Sequence, residues 1–165
     1  MGGYVTLAFA ELFPKKIEKI ILLNSTTEKD DPAKKLIRER SVKILDSVPE
    51  AFISMAIGNL FTEESKQQHT IEIEKLKAEA NTFPVVGVQA IIKGMKERKD
   101  RTSILKNFKK EKILIAGKHD TIVPYAASKE IAENTNTTLI TLNGGHMAVI
   151  ENLSELKETL IKILN

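Results

Sequence analysis

The chain has 165 residues and a mass of 18.4 kDa, the length of one domain with room for a buried core. Its 25 Lys and Arg against 22 Asp and Glu leave a net charge of +3. Both signs are interspersed and only 5% of residues are aromatic, which speaks against a nucleic-acid-binding face. There is no cysteine, so disulfides, thiolate metal sites and a cysteine nucleophile are excluded. No apolar run approaches the roughly 20 residues of a membrane span, so a soluble, cytoplasmic protein is expected.

Residues 3–13 are small and apolar with helical spacing, and Pro14 ends them because proline cannot continue a helix. The opening Met1–Gly2–Gly3–Tyr4–Val5–Thr6 fits a loose N-acylation pattern. It runs on into Leu7, Ala8, Phe9, Ala10 and Leu12, a segment suited to a core, so no lipid anchor is expected. Residues 17–24 form a short, continuous apolar run and read as a buried strand. A polar loop, 25–31, leads to Pro32.

From there to about Arg101 the strand signal is absent. Helices are expected over 32–47, 49–60, 63–81 and 84–98, with Pro49 and Pro84 near helix starts. Leu36, Val42, Ile44 and Leu45, and Ile71, Ile73 and Leu76, read as packing stripes. Phe52, Met55, Ile57, Leu60 and Phe61 read as core, with an acyl-pocket lining as the alternative. The strand signal returns at 112–116, followed by a helix at 124–134, a strand at 137–142 and a closing amphipathic helix at 151–164. That helix carries Leu153, Leu156, Leu160, Ile161 and Leu164. Strand–helix alternation in this order predicts an α/β fold with a short parallel sheet of about three strands and helices on both faces. The expected division is a core of residues 1–25 and 102–165, with 26–101 as a helical lid insertion.

In an open parallel sheet, catalytic groups gather beyond the carboxyl ends of the strands. Asp120 comes four residues after one strand, between Gly117, which lets the chain turn, and Pro124, which starts the next helix. His146 comes four residues after the next strand, behind Gly144–Gly145. Parallel neighbours lie about 4.8 Å apart, so these loops can bring a carboxylate onto an imidazole. Such a pair fixes the histidine tautomer and stabilises its cation. His119 reads as a surface loop residue and His69 as solvent-exposed. Three scattered histidines without helical ligand spacing indicate no metal site, and no glycine-rich phosphate loop is present.

These motifs resemble the C-terminal part of an α/β-hydrolase of the small esterase and lactonase type. Gly117–x–x–Asp120–x–x–Val123–Pro124 resembles that family's acid loop, and Gly145–His146–Met147 with Glu151 resembles its histidine loop. Met1–Gly2–Gly3–Tyr4–Val5 with Ala8 resembles the segment just after the family's nucleophile, and Gly94–Met95 through Asp100–Arg101–Thr102 the exit from its lid.

The resemblance covers essentially the whole chain. It implies a hydrolase of a carboxylic ester, thioester or lactone working through a Ser-His-Asp triad without a cofactor. Asp120 and His146 would be the acid and base, and the backbone N–H of Met1 an oxyanion donor. The family serine would immediately precede Met1. Ser25, Ser41, Ser47, Ser54, Ser65, Ser103, Ser128 and Ser154 all lack the Gly-x-Ser-x-Gly surroundings, so the chain alone is expected to be inactive. A second expectation is a non-catalytic assembly module, a homo-oligomer joined through the exposed edge of strand 17–24 or the uncovered face of helix 3–13. A third is that another polypeptide supplies the serine half.

Overall fold

In the computed structural model, which describes residues 1–164, three parallel strands form one sheet in the order β1-β2-β3: β1 (Lys19–Leu23), β2 (Glu111–Gly117) and β3 (Thr138–Leu142). Every position of β2 from Ile113 to Gly117 is buried, as a central strand covered on both faces requires. On one face, Ile20, Leu22 and Leu114 pack with Leu7 and Ala10 of α1 (Gly2–Leu12), Leu105 of α7 (Thr102–Asn107), and Ile131 and Ala132 of α8 (Tyr125–Thr135). On the other face, Ile113, Ile115 and Leu142 meet Ala148 of α9 (Ala148–Glu151) and Leu156 of α10 (Leu153–Leu164). The two-faced α/β architecture is therefore the one the pattern predicts.

Between β1 and α7 the chain is helical: α2 (Pro32–Ser47), α3 (Pro49–Gly58), α4 (Glu63–Gln68), α5 (Thr70–Ala80) and α6 (Val85–Lys96). Asp31 starts α2 by accepting a hydrogen bond from Lys34 N at 2.8 Å, with Pro32 in the first turn. These helices have their own small core of Leu45, Ile53 and Ile92, against which Phe52 and Ile57 pack. The two chain crossings at the base of this unit are tied together. Arg101 N donates to Thr27 O at 2.8 Å, and the Thr27 and Thr102 hydroxyls are 2.8 Å apart. The buried Asp30 carboxylate pairs with Arg38 of α2 and with Arg98 beyond α6, where Arg98 Nη2 lies 2.9 Å from Oδ1.

Several details differ from the sequence reading. The helix expected over 63–81 breaks at His69, which leaves helical geometry (φ −117°, ψ 31°) and so sits half-buried instead of exposed. The closing helix breaks at Asn152, whose Nδ2 turns to Asn143 O and Glu155 Oε2, both at 3.2 Å. An asparagine that bonds back into a loop competes with helix continuation. The face that α10 buries is consequently Leu156, Leu160 and Ile163, while Leu153, Ile161 and Leu164 lie exposed. Leu36, Ile44 and Ile71 are also exposed, so only Leu45 and Ile73 of the two proposed stripes are buried. A single 3-10 turn (Pro14–Lys16) and α7 carried no periodicity long enough to read.

Candidate active site

Strand register builds the site. Gly117, the last residue of β2, pairs with Leu142, the last of β3, so the two loops leave the sheet level with one another. Lys118 N donates to Leu142 O at 2.9 Å and His119 N to Gly144 O at 2.8 Å, which stitches the loops together. Gly117 is required there, since a Cβ would lie 2.2 Å from Gly145 O. A Cβ at Gly144 would meet the Asn152 carboxamide, and one at Gly145 the Glu151 carboxylate, whose Oε2 accepts from Met147 N at 2.9 Å.

These constraints bring Asp120 and His146 together. His146 Nδ1 lies 2.9 Å from Asp120 Oδ2 and 3.1 Å from Oδ1. The Asp120 side chain is 1% exposed and the imidazole 20%. Ile122 N and Val123 N donate to Oδ1 at 2.7 and 2.8 Å. Burial by itself pushes the Asp120 carboxyl upward. The hydrogen bond from His146, that from Val123, the charge of His146 and the bond from Ile122 outweigh it, and the group titrates below its ordinary value of 3.8. The carboxylate is thus ionised at neutral pH and can only accept, so Nδ1 carries the proton. In the neutral ring Nε2 then has the lone pair, the form a general base needs.

A depressed folded-state value means that this carboxylate stabilises the fold fully above its unfolded value, near 4. That contribution is lost as pH falls through the folded value. Urea titrations between pH 6 and pH 2 are expected to show wild type losing more stability than Asp120→Asn on the acid side of pH 4. Parallel curves would contradict this.

Sequence reading missed Asn24. It comes directly after β1, is 7% exposed, and adopts left-handed backbone geometry at φ 45°. Its Nδ2 donates to Asp120 Oδ2 at 3.0 Å and to Gly145 O at 2.7 Å. The only sequence signal was a polar residue closing the apolar run of the neighbouring strand. Met1 lies at the start of α1, and two residues on, Gly3 packs so closely on Ser25 that a Cβ would meet its Oγ at 2.5 Å. Since Ser25 adjoins Asn24, α1 begins at the same end of the sheet as Asp120 and His146. Among the described residues no hydrogen bond joins Met1 or any serine to His146. The Ser25 hydroxyl is committed to Leu23 O at 2.7 Å.

His119 is exposed and stands apart from the pair, facing a cavity of about 310 Å³. Its other walls include Gln68 and His69 from the helical unit, and Gly145 and Asn152 from the histidine loop. No cluster of metal-ligating side chains occurs among the described residues, and no helix there is long and apolar enough to cross a membrane.

Solved structures share the fold that carries this pair. A thermophilic esterase from Thermogutta terrifontis superposes with a TM-score of 0.90 at 26% identity, over 99% of this chain and 61% of its own. The chain belongs to the α/β-hydrolase superfamily. An enol-lactonase from Burkholderia xenovorans LB400 matches this α/β-hydrolase chain with a TM-score of 0.86 at 19% identity, over 99% of the chain and 62% of the lactonase. Esterase E22 gives 0.80 at 14%, over 99% and 59%. The chain therefore spans about three fifths of the length of these structures and carries part of the α/β-hydrolase fold. No protein-family model matches it.

Proposed function

We propose that these residues supply the acid and the base of a serine hydrolase acting on a carboxylic ester, thioester or lactone. The observation that carries this reading is the buried Asp120 carboxylate held 2.9 Å from His146 Nδ1 at the ends of adjacent parallel strands. The serine would be supplied from immediately before Met1, where the resemblance puts it. Its Oγ attacks the acyl carbon while its proton passes to His146 Nε2. The oxyanion is held by backbone N–H groups, that of Met1 among them. The bond to the leaving group then breaks and the departing oxygen or sulfur takes the proton from Nε2. Water next attacks the acyl-serine, giving its proton to Nε2, and the serine recovers a proton as the carboxylic acid leaves. Asp120 orients the imidazole and balances its charge throughout. Residues 26–101 act as a lid on a core of 1–25 and 102–165. The hydrogen bond of Thr121 Oγ1 to Asn59 O, 3.2 Å, supports that placement by joining the acid loop to the end of α3.

The test compares hydrolysis of p-nitrophenyl acetate by the 165-residue chain and by a polypeptide extended upstream of Met1. The short chain is expected to stay at background and the extended one to turn over. Activity of the short chain that disappears in His146→Ala would overturn the proposal.

One observation favours a second reading, an assembly module. Among the described residues β1 pairs only with β2, and α1 with its flanking residues exposes Met1, Val5, Phe9, Leu12 and Phe13. These positions recur at helical spacing opposite the buried Leu7 and Ala10, and a helix with two opposite apolar faces buries both in a larger body. Light scattering at micromolar concentration is expected to give a dimer or larger species for the 165-residue chain if this face and edge self-associate. A stable monomer would remove this reading.

A further inference from the structure

We infer that Asn24 is a positioning residue whose carboxamide locks the Asp120 carboxylate and the His146 loop into one arrangement. The inference rests on the hydrolase reading for its catalytic meaning, while its geometry stands alone. Asn24 is the third strand end at the site: its N donates to Ile115 O at 2.8 Å, extending the β1–β2 ladder by one bond beyond Leu23. Its side chain then reaches across to both loops at once. One N–H of Nδ2 goes to Asp120 Oδ2 and the other to Gly145 O, the carbonyl immediately before His146.

The orientation of the carboxamide is dictated by its neighbours. Both are obligate acceptors, a carboxylate and a backbone carbonyl, so the nitrogen must face them. Oδ1 is left buried with no partner among the described residues. The left-handed backbone, which asparagine tolerates better than most residues, aims the side chain at this point.

The carboxylate is thereby fixed from both sides. Oδ1 is held by the Ile122 and Val123 amides of its own loop, and Oδ2 by Asn24 from the neighbouring strand. With both oxygens held, the carboxylate cannot rotate away from Nδ1. The bond to Gly145 O keeps the imidazole's own loop from sliding past it. Asn24 touches neither the reacting atoms nor the substrate in this scheme and acts through Asp120 and His146.

Two variants separate this role from that of a turn former. Asn24→Gly keeps the left-handed backbone and removes the carboxamide. Asn24→Asp keeps the shape and exchanges the two N–H donors for an acceptor. In the 165-residue chain, the proton between His146 Nδ1 and Asp120 is expected as a low-field proton NMR resonance, assigned by its loss in His146→Ala. It should vanish in both variants while circular dichroism shows the fold retained.

In the upstream-extended polypeptide, both variants should lower kcat by about 10- to 100-fold, the range seen when hydrogen-bond partners that orient metal ligands are removed, with KM changed less than about threefold. Retention of the resonance in either folded variant, its absence from the unaltered chain, or an unchanged kcat overturns the inference. If the resonance behaves as expected and no extended polypeptide hydrolyses esters, the hydrolase reading fails and the positioning role stands.

Discussion

Replacing His146 with alanine in the upstream-extended polypeptide is expected to lower kcat for ester hydrolysis by about 10⁶-fold, the usual loss when a serine hydrolase forfeits its base. The expectation comes from Nδ1 being engaged by Asp120 at 2.9 Å, which commits the other ring nitrogen to proton transfer. His119, the adjacent candidate by sequence, is exposed and its backbone merely ties the loops together, so His119→Ala should stay within about threefold of wild type. Asp120→Asn should fall between these, at about 10⁴-fold, because the imidazole then loses its tautomer and the charge that balances its cation. Steady-state kinetics of the three variants check the ranking. A His119→Ala loss exceeding that of His146→Ala would reverse the assignment.

The second large effect is on folding. Gly117→Ala places a Cβ 2.2 Å from Gly145 O and 2.6 Å from Gly144 O. Neither carbonyl can retreat freely, because one accepts from Asn24 Nδ2 and the other from His119 N. The expected outcome is a loss of about 3 kcal/mol, or a fall in Tm of about 10 °C, together with separation of Asp120 from His146. Gly87→Ala is the matched control: it is an exposed glycine in α6 with open space around its would-be Cβ, and should be neutral or stabilising by about 0.5–1 kcal/mol. Thermal unfolding of both variants checks the pair. Equal Tm values would mean that the loops yield where the geometry says they cannot.

Features that depend on short-range pattern could be read in advance. The apolar runs of β1, β2 and β3 gave the strands, and Asp120 and His146 were visible because each comes a few residues after a strand, with glycine in the intervening turn. Asn24 was invisible because its importance lies in a positive φ and in two partners 96 and 121 residues away. An asparagine at a strand end looks like any other turn residue. The stripes expected in the helical unit misled for a related reason. Leu36, Ile44 and Ile71 obey helical spacing, yet α2 and α5 pack only through Leu45, Ile73 and their neighbours, so periodicity alone overstated the buried face. The break at Asn152 shifted the buried face of α10 by the same kind of long-range bonding, here to Asn143.

The role proposed for Asp120 and His146 is tested most directly by treating the upstream-extended polypeptide with a serine-reactive organophosphonate and locating the adduct by mass spectrometry. The account predicts a single adduct on the serine immediately preceding Met1, formed at a rate that collapses in His146→Ala, and no adduct on the 165-residue chain. Labelling of Ser25 or any other serine within the 165 residues, dependent on His146, would contradict it.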